Sequence, residues 1–592
     1  MLRNRLIIFL LFSAQLVAGQ TTLEWAKQIG GTGNETVSKM TVDQNGNSYI
    51  TGDFTGIVDF DPSEKTHNIQ SIGSRDLFIA KYDSLGKFQW VYQIVSIDHG
   101  SKYFKNNITG VVVDKNGSAF FTGNFLGVVD FNLLNGGYVV DAKTKYWFVL
   151  KLTGQGEFLW VENIETGSNI IDNLYENVAS SLTIDHSGNI YLAGAFKNFK
   201  QKIDFDPDNG IAHLTSPEGK GGYILKLNND GNFVWVKGLF ATYSCVVKCI
   251  KIDNEDNIVA AGIFGSDVDF DPDTGIYKMF PGNGTGTFIL KLDNDGRFEW
   301  ANNVRSSTTT YNHMAENDIF DMELDQQGNM VATGWFDHTA KFGSIELNSG
   351  GYYSSPDADA TYSSYRAIYV FKMHKTGYFK WAYDFGPIDK NCEIGAKGIT
   401  TDFQSNIYIS GIASGACDFK PGNGIQQLYE YNYGDGYLLK LDSNGQYLGT
   451  VRLACNGRVR HLSPDALCLS CTFSGERDFN PGTESYLFRT KGENDIAIFK
   501  LSGRELATFN YLGPYMFKPF PNPTSGKLNL DFDSRVDFIE VKLFDISGRM
   551  VRHERFFTTY SIHMNIEVAS GIYIMEVTLN SSLKEVYKVV KN

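Results

Sequence analysis

The chain is built from short apolar or alternating runs separated by Gly, Asn and Asp turns, and one arrangement of these runs recurs along it. In the first copy, residues 43–54 carry an Asp, a Gly turn and an apolar run that ends in Gly-x-Phe. Residues 58–62 follow with Val-Asp-Phe-Asp-Pro, and residues 78–90 hold two further runs around a Gly turn. Runs of this length are typical of β-strands, and no stretch keeps a helical period. Each copy therefore predicts about four strands and no helix.

Seven copies of this arrangement follow one another. The residue that closes the first apolar run marks them, at steps of 71, 71, 68, 72, 77 and 60 residues: Gly52, Gly123, Gly194, Gly262, Gly334, Gly411 and Cys471. The Trp-type strand occurs once more than the other phrases, because residues 23–29 carry it before the first copy. Such an extra strand can pair with the last copy and close a ring, which removes exposed sheet edges. The sequence thus predicts an all-β fold with a seven-bladed β-propeller over residues 20–512.

Both ends of the chain differ from the repeat. Residues 1–19 have a basic start at Arg3 and Arg5, a short apolar run and small residues before Gln20. These features predict a signal peptide, since the run is too short for a membrane span. Residues 513–592 lack the repeat and alternate as strands of a second domain. We expect a small immunoglobulin-like β-sandwich there, near the lower size limit for an independent fold.

The C-terminal segment also carries four phrases in a fixed order. They are Pro-Asn-Pro-Thr-Ser-Gly at 521–526, Phe-Asp-Ile-Ser-Gly-Arg at 544–549, Ser-Gly-Ile-Tyr at 570–573 and Lys-Val-Val-Lys at 588–591. Together they resemble the type A C-terminal sorting domain of the type IX secretion system of Bacteroidota. The residues that carry this sorting motif are Pro521, Asn522, Pro523, Gly526, Gly548, Gly571, Tyr573 and Lys588.

The resemblance implies how the protein travels. The type IX secretion machinery would bind residues 513–592, after Sec export directed by the signal peptide. The protein would then be secreted or placed on the outer cell surface, and in that family the sorting domain is usually removed on export.

The repeat itself resembles the SBBP-type β-propeller repeats of bacterial secreted proteins. The shared phrases are Asp-x-x-Gly-Asn-x-Tyr-x-x-Gly and Phe-x-x-Lys-Leu-Asp-x-x-Gly, and the likeness covers residues 22–512. It implies the fold and no particular activity, because one fold hosts many functions.

Net charge limits the classes of partner. The chain carries −14, to which residues 1–19 contribute +2 and residues 514–592 contribute +1, so the repeat body carries −17. Nucleic-acid binding needs basic stripes, and this acidity argues against it. No other apolar run is long enough to cross a membrane, so we expect no transmembrane segment in the mature chain.

The Asp phrases of the third and fourth copies place three carboxylates at alternate positions before a Gly. These residues are Asp204, Asp206, Asp208, Asp269, Asp271 and Asp273. Hard cations bind several oxygens of such a loop, so calcium is a candidate ligand and no other cofactor is expected. The closing Glu of a calcium-binding hand is missing, and a strand end with an Asp-Pro turn is the alternative interpretation.

A Lys recurs in all seven copies and a Trp in most of them, which indicates framework roles. They are Lys81, Lys151, Lys226, Lys291, Lys372, Lys440 and Lys500, and Trp25, Trp90, Trp160, Trp235, Trp300 and Trp381. A Lys on an inner strand needs a partner, and we expect the first Asp of each Asp-Phe phrase to supply it. Each Trp is expected to fill a wedge between blades. A ring of axial cations and a set of sugar-stacking Trp are the functional alternatives.

The fifth copy is the longest and contains a Tyr-, Ser- and Gly-rich insertion at residues 350–365. Such side chains make adaptable contact surfaces. We expect ligand binding by Tyr352, Tyr353, Tyr362 and Tyr365, with a long loop that binds nothing as the alternative.

The seven Cys residues are few and odd in number, and they do not form a small-domain disulfide framework. Cys468 and Cys471 lie three apart on a strand phrase and should point to opposite faces. We expect core residues with room for one disulfide, and no zinc site. The sequence contains no His-Glu-x-x-His or Gly-x-Ser-x-Gly motif, so no catalytic residue is assigned.

These observations favour an exported or cell-surface β-propeller that acts as a binding or adhesion platform for a polysaccharide or protein ligand. A secreted polysaccharide hydrolase or lyase is the alternative, because several blades could supply carboxylates at the propeller axis. A purely structural surface protein is the third hypothesis.

Overall fold

The computed structural model describes residues 22–98, 106–133, 136–167, 178–197, 202–214, 220–307, 315–349, 366–387, 393–420, 428–463, 466–481, 485–502, 523–579 and 583–591. The described residues are 67% strand, and no α-helix occurs among them, so the predicted all-β class is confirmed. Across these ranges, therefore, no helix is available that could cross a membrane. The chain divides into two compact units, Met1–Asn510 and Tyr511–Asn592.

The first unit begins with twenty-one strands up to residue 307. They are β1 (Thr22–Gly31), β2 (Glu35–Val42), β3 (Ser48–Phe54), β4 (Ile57–Asp59), β5 (Asn68–Gln70), β6 (Asp76–Tyr82), β7 (Phe88–Asp98), β8 (Asn107–Val113), β9 (Ala119–Asp130), β10 (Val139–Leu152), β11 (Phe158–Glu165), β12 (Val178–Ile184), β13 (Ile190–Lys197), β14 (Lys220–Leu227), β15 (Phe233–Phe240), β16 (Cys245–Ile252), β17 (Ile258–Phe264), β18 (Val268–Asp269), β19 (Lys278–Met279), β20 (Gly286–Leu292) and β21 (Phe298–Ser307).

Fifteen more strands complete this unit. They are β22 (Asn317–Leu324), β23 (Met330–Phe336), β24 (Thr339–Phe342), β25 (Ile345–Asn348), β26 (Ala367–Met373), β27 (Phe379–Pro387), β28 (Glu393–Thr401), β29 (Ile407–Asp418), β30 (Leu428–Leu441), β31 (Tyr447–Leu453), β32 (Gly457–Ser463), β33 (Ala466–Phe473), β34 (Glu476–Asp478), β35 (Leu487–Arg489) and β36 (Asp495–Ser502).

Within the described ranges these strands form seven antiparallel four-stranded sets. Sets 1 to 7 are β2-β3-β6-β7, β8-β9-β10-β11, β12-β13-β14-β15, β16-β17-β20-β21, β22-β23-β26-β27, β28-β29-β30-β31 and β32-β33-β36-β1. In set 7 the fourth strand is β1, which pairs with β36 from Thr22↔Ser502 to Ile29↔Ile496. The sets support the count of seven blades, which stays a prediction together with the domain boundaries after residues 19 and 512.

An Asp at the start of most hairpins shapes the turn. Asp43 Oδ1 accepts hydrogen bonds from the amides of Asn45 and Asn47, both at 2.9 Å, and Gly46 takes a φ of 77°. The same two bonds recur at Asp83, Asp114, Asp185, Asp253, Asp293, Asp325, Asp402 and Asp442. A local acceptor and a left-handed residue make a tight hairpin, so this motif sets the strand order.

The first strand of each set lies at the centre of the unit. These inner strands are β2, β8, β12, β16, β22, β28 and β32, and each packs against the next, with β32 packing against β2. Six of them carry one extra residue at the same place in the ladder: Ser38, Thr109, Ser180, Lys248, Phe320 and Lys397. Such bulges locally re-aim side chains. Because each inner strand packs against the next and the last packs against the first, these strands form a closed ring around an axis.

Two of the recurring lysines pair closely with a carboxylate of their own set. Lys372 Nζ lies 2.8 Å from Asp325 Oδ2, and Lys291 Nζ lies 2.9 Å from Asp253 Oδ2. Both acids begin the first hairpin of their set rather than the Asp-Phe phrase. For Lys291 the predicted partner, Asp269 of the Asp-Phe phrase, is wrong, because Asp269 accepts from amides of its own turn, as described below. The fifth copy has Lys341 in place of that Asp, so the phrase offers no such partner for Lys372.

The Lys and the Trp also tie each set to the next. Lys81 Nζ and Trp90 Nε1 of set 1 both donate to the carbonyl of Gly154 in set 2, at 3.0 and 3.1 Å. Beside them, a Cβ on Gly156 would come within 2.5 Å of the Trp90 ring. Equivalent Trp-to-Gly approaches join Trp25 to Gly86, Trp160 to Gly231, Trp235 to Gly296, Trp300 to Gly377 and Trp381 to Gly445. The predicted wedge role of the Trp is confirmed.

The second unit is one antiparallel sheet in the order β38-β37-β39-β40. Its strands are β37 (Lys527–Asp545), β38 (Met550–Asn565), β39 (Gly571–Leu579) and β40 (Leu583–Lys591). The β37–β38 pairing is interrupted between Asp531 and Val536. Leu528, which precedes the interruption, packs in the same hydrophobic core as Val541 and Val577, which follow it in the chain. Because the described strands form a single sheet, the immunoglobulin-like arrangement of two sheets stays a prediction.

Candidate functional site

A group of charged side chains lies on the inner strands of sets 1, 4, 5, 6 and 7, and we call it the axial cluster. It consists of Lys39, Lys248, Lys251, Lys397, Arg458, Arg460, Asp318, Asp321 and Glu323. The inner strands of sets 2 and 3, β8 and β12, have no charged residue. The cluster has three more cations than carboxylates, although the repeat body as a whole is strongly acidic.

Two ion pairs join neighbouring inner strands on one side of the ring. Lys248 Nζ lies 2.6 Å from Asp318 Oδ1, and Lys251 Nζ lies 2.8 Å from Glu323 Oε2. The lysines belong to β16 and the acids to β22. These four charges neutralise one another in pairs.

Two arginines of β32 cross to their neighbours on both sides. Arg458 donates from Nε to the Ser38 carbonyl at 2.8 Å and from Nη1 to the Lys397 carbonyl at 3.0 Å. Arg460 Nη1 lies 3.4 Å from Asp321 Oδ2. Asp321 belongs to set 5, which is separated from set 7 of Arg460 by set 6. The arginines therefore bring β2, β28 and β22 together around the axis.

Two lysines of the cluster have no ion-pair partner or side-chain hydrogen bond among the residues whose side chains are described. Lys39 is half-buried, and its burial, together with Arg458, lowers its pKa to about 7 even though Asp321 acts in the opposite direction. Burial and Arg458 also lower the pKa of Lys397, whose side chain is exposed in part to solvent. Positive charge is thus left uncompensated at this place.

Neither Asp321 nor Glu35, two described carboxylates of the inner strands, meets the requirements of a general acid. Burial would raise the pKa of Asp321, but Arg460, Lys251 and other cations outweigh it and hold that pKa below its ordinary value. Glu35 on β2 differs, because burial and Asp495 raise its pKa to about 7. Glu35 is 0% exposed, however, so a polymeric substrate cannot reach it.

The predicted calcium loops use their carboxylates on the backbone. Asp204 Oδ1 accepts from the amides of Asp206 at 3.1 Å and Ala212 at 2.8 Å, and Asp206 Oδ1 accepts from Asp208 at 2.9 Å. The second loop repeats these bonds through Asp269, Asp271, Asp273 and Tyr277. Throughout the described ranges no three His, Cys, Asp or Glu side chains are grouped to hold a metal ion. Calcium binding stays a prediction, and the turn interpretation accounts for the observed bonds.

The Phe of the Asp-Phe phrase explains why that phrase recurs. It is buried as Phe60, Phe131, Phe205, Phe270, Phe419 and Phe479, and Phe342 is buried at the same place in the fifth copy, where Lys341 stands in place of the Asp. Phe60 packs on Phe78 with ring centroids 5.1 Å apart, and Phe270 packs on Phe288 at 4.9 Å. The phrase therefore anchors a turn to the core of its set.

The predicted Tyr surface, with Tyr352, Tyr353, Tyr362 and Tyr365, lies outside the described residues. Its role stays a prediction. At the described end of that segment, the Arg366 guanidinium lies 4.0 Å from the centre of the Trp335 ring.

The sorting motif is distributed over the second unit. Gly526 and Gly548 have φ values of 126° and 82°, and Gly548 lies in the turn shaped by Asp545. Tyr573 is buried and donates its hydroxyl to the Ala569 carbonyl at 2.8 Å. Gly571 begins β39, Lys588 lies on β40, Pro523 precedes β37, and Pro521 and Asn522 lie outside the described residues.

The cysteines depart from the expectation of one disulfide. Cys455 and Cys471 form a disulfide with Cα atoms 6.1 Å apart, and Cys417 is disulfide-bonded as well. Cys468 is buried and free and packs in a different core from Cys471, which confirms their opposite faces.

The axial cluster escaped the sequence reasoning, which looked for axial cations among the repeated lysines. Those lysines lie on the third strand of each set, whereas the cluster lies on the first. The available signal was divergence at one position, where Ser38, Thr109 and Ser180 are replaced by Lys248 and Lys397.

Comparison with known families agrees with this architecture. Residues 518–592 match the secretion system C-terminal sorting domain, and residues 24–53 match a β-propeller repeat. The chain therefore carries SBBP propeller repeats and a type IX sorting domain, as the resemblance predicted. The sorting domain directs export through the type IX secretion machinery to the cell surface or the medium.

Individual relatives are distant. An uncharacterized WD repeat-containing protein, L264, of Acanthamoeba polyphaga mimivirus is 22% identical over 514 residues, which cover 76% of this chain and 35% of that protein. This chain thus spans about a third of that relative's length. A PL25 ulvan lyase bound to -[GlcA(1-4)Rha3S]- aligns with 12% identity and a TM-score of 0.36 over 79% of this chain and 97% of its own. A second structure of that lyase gives 11%, a TM-score of 0.35 and the same coverage. Likenesses this weak bear on neither substrate nor activity.

Proposed function

We propose that this exported β-propeller is a binding platform for an extracellular ligand and not an enzyme. One observation carries the proposal: each carboxylate of the axial cluster is held by a cation, and cations remain in excess. Cleavage of a polysaccharide by paired acids needs one carboxyl with a raised pKa within reach of the sugar. Asp321 has a lowered pKa, and Glu35 is inaccessible.

The ties between sets suit a platform. Lys151 donates to the Asn229 carbonyl at 2.9 Å and Lys226 to the Asn294 carbonyl at 3.0 Å, so the bond seen between sets 1 and 2 is repeated farther along. A scaffold whose neighbours are joined in the same way keeps its surface groups in place. Preorganised groups bind without an ordering cost.

The experiment uses the purified mature chain on a glycan array, with release of reducing or unsaturated ends measured on the same polysaccharides. The expected result is saturable binding without release of new ends. Release that disappears in an Asp321→Asn variant would contradict the proposal and favour the hydrolase or lyase hypothesis. Absence of binding to any glycan or surface protein would favour the purely structural hypothesis.

A loop variant separates two locations for the ligand. If the Tyr insertion contributes to the platform, changing Tyr352 and Tyr353 to Ala weakens binding while leaving the fold intact. If the ligand binds at the axis alone, the same variant binds as the parent does.

A further inference from the structure

We propose that the axial cluster binds an anionic group, the sulfate or carboxylate of an extracellular acidic polysaccharide. This inference rests on the proposed platform and specifies its ligand. The two sources of such a group, the polymer and the free anion, share one chemistry and are distinguished by the experiment below.

The first argument is the charge that the cluster leaves unpaired. Lys248 and Lys251 are neutralised by Asp318 and Glu323 at 2.6 and 2.8 Å. Asp321 is then the remaining carboxylate for Lys397, Arg458 and Arg460, and for Lys39, whose pKa of about 7 a bound anion would raise so that its charged form is favoured. Burial lowers the pKa of Lys39 and of Lys397, repulsion from Arg458 lowers it further, and an anion placed among these groups would oppose that repulsion.

The second argument is the set of free donors. Arg458 uses Nε and Nη1 for the carbonyls of Ser38 and Lys397, and its Nη2 has no hydrogen-bond partner in the described part of the chain. The ammonium group of Lys39 likewise makes no hydrogen bond there. A planar guanidinium edge beside lysine ammonium groups matches the oxygens of a sulfate or carboxylate.

The third argument is the position of the cluster in the molecule. It is reachable, because the Lys397 side chain is exposed and those of Lys39 and Arg458 are only half-buried. The uncharged strands β8 and β12 complete the ring without repelling an anion. Since the rest of the repeat body is acidic, a polyanion is repelled from most of the surface and attracted at the axis.

The test compares dextran sulfate with neutral dextran of the same chain length, using isothermal titration calorimetry on the mature chain. We expect the parent protein to bind dextran sulfate at least about tenfold more tightly than dextran. The Lys39→Met/Lys397→Gln double variant should lose about tenfold or more in affinity, because two charged contacts are removed. Lys87→Gln is the matched control, since Lys87 is an exposed lysine of the β6–β7 hairpin, on the outer side of set 1, and its change should leave affinity unaltered.

A second arm identifies the source of the anion. Sodium sulfate is titrated alone and as a competitor, against sodium chloride at equal ionic strength. Binding of free sulfate that Lys39→Met abolishes shows that the cluster recognises the group itself. Binding of the polymer without binding of free sulfate shows that the sugar chain is needed as well, and both results support the site.

The melting temperature of each variant serves as the control for its fold. The folded protein disfavours the charged form of Lys39, because burial lowers the pKa of that side chain, whereas the unfolded chain leaves it charged. Lys39→Met should therefore have a melting temperature equal to or above that of the parent protein. Lost binding with retained melting therefore assigns the effect to the site.

Three results would overturn the anion site: equal affinity for dextran and dextran sulfate, an unchanged double variant, or an equal loss in Lys87→Gln. The platform survives these results if the array shows binding to neutral glycans. It fails, by contrast, if new chain ends are released, whatever the charge of the polymer.

Discussion

The buried pair of Lys372 and Asp325 allows the energetics of the repeated Lys to be measured. The two side chains are 3% and 0% exposed, and Lys372 Nζ also donates to the Ser443 carbonyl of the next set at 3.1 Å. We consider the variant Lys372→Met, which keeps the length of the side chain and removes its charge. The buried Asp325 carboxylate then has no cation beside it.

The expected loss of stability follows from this burial. Removing one partner of a buried ion pair costs about 3–5 kcal/mol, because the remaining charge stays desolvated. Lys81 is the matched comparison, since it donates to Gly154 at 3.0 Å without a carboxylate in ion-pair contact. Lys81→Met should cost about 1 kcal/mol, the net value of one hydrogen bond. The double variant Lys372→Met/Asp325→Asn should regain most of the loss, because Asn keeps the turn acceptor and has no charge.

The assay is guanidinium unfolding at pH 7, followed by Trp fluorescence, with the free energy taken from the midpoint at constant slope. A pH series tests the direction in which the stability difference between parent and variant changes with pH. In the parent protein Lys372 holds the pKa of Asp325 below its ordinary value although burial alone would raise it, so the pair is intact from pH 7 down to that ordinary value. In Lys372→Met the unpaired carboxyl gains a proton more easily when folded, so the gap between the two proteins narrows as the pH falls from 7 to 5. Equal losses for Lys372→Met and Lys81→Met, or a gap that is constant with pH, would refute the reasoning.

Three further predictions follow from the described contacts. Gly156→Ala should cost about 2–4 kcal/mol in the same denaturation assay, because the φ of Gly156 is 82° and the new Cβ would meet the Trp90 ring at 2.5 Å. The control Gly117→Ala should cost only about 1 kcal/mol, since Gly117 has a similar φ of 86° but no atom nearer than 3.9 Å to the new Cβ. Cys471→Ser should cost about 3 kcal/mol, since its disulfide spans 16 residues. A reductant should lower the midpoint of the parent by more than that of the variant, which keeps the disulfide of Cys417. Deletion of residues 513–592 should keep the propeller inside the cell, measured by fractionation, and secretion of the truncated chain would contradict the sorting role of the segment.

Local chemistry made the strand order predictable. The hairpin Asp, the Gly with positive φ and the alternating runs act within a dozen residues, so one sequence suffices to read them, and Asp43 with Gly46 forms the expected turn. The partner of the repeated Lys was not readable in this way. The first Asp of the Asp-Phe phrase is used by amides two and eight residues farther on, as at Asp204, and these bonds leave no trace in a pattern of charges.

The axial cluster was hidden for a related reason. Its members come from five strands that are separated by whole repeats, and a bulged residue in most inner strands breaks the alternation that assigns a side chain to a face. Arg460 and Asp321, which lie 3.4 Å apart at the axis, are 139 residues apart in sequence. Repetition revealed the framework, whereas the candidate site lies where the copies differ.

The pairing of β1 with β36 has a consequence for the birth of the molecule. Synthesis delivers Trp25 and its neighbours at the very start, yet their hydrogen-bonding partners, such as Lys500, appear almost five hundred residues later. A growing chain can complete six sets one after another while its opening strand waits with bare amides and carbonyls. The last repeat therefore completes the ring. A chain that ends before residue 495 would leave the hydrogen-bonding edge of β1 unpaired, and such an edge is open to aggregation and to proteases.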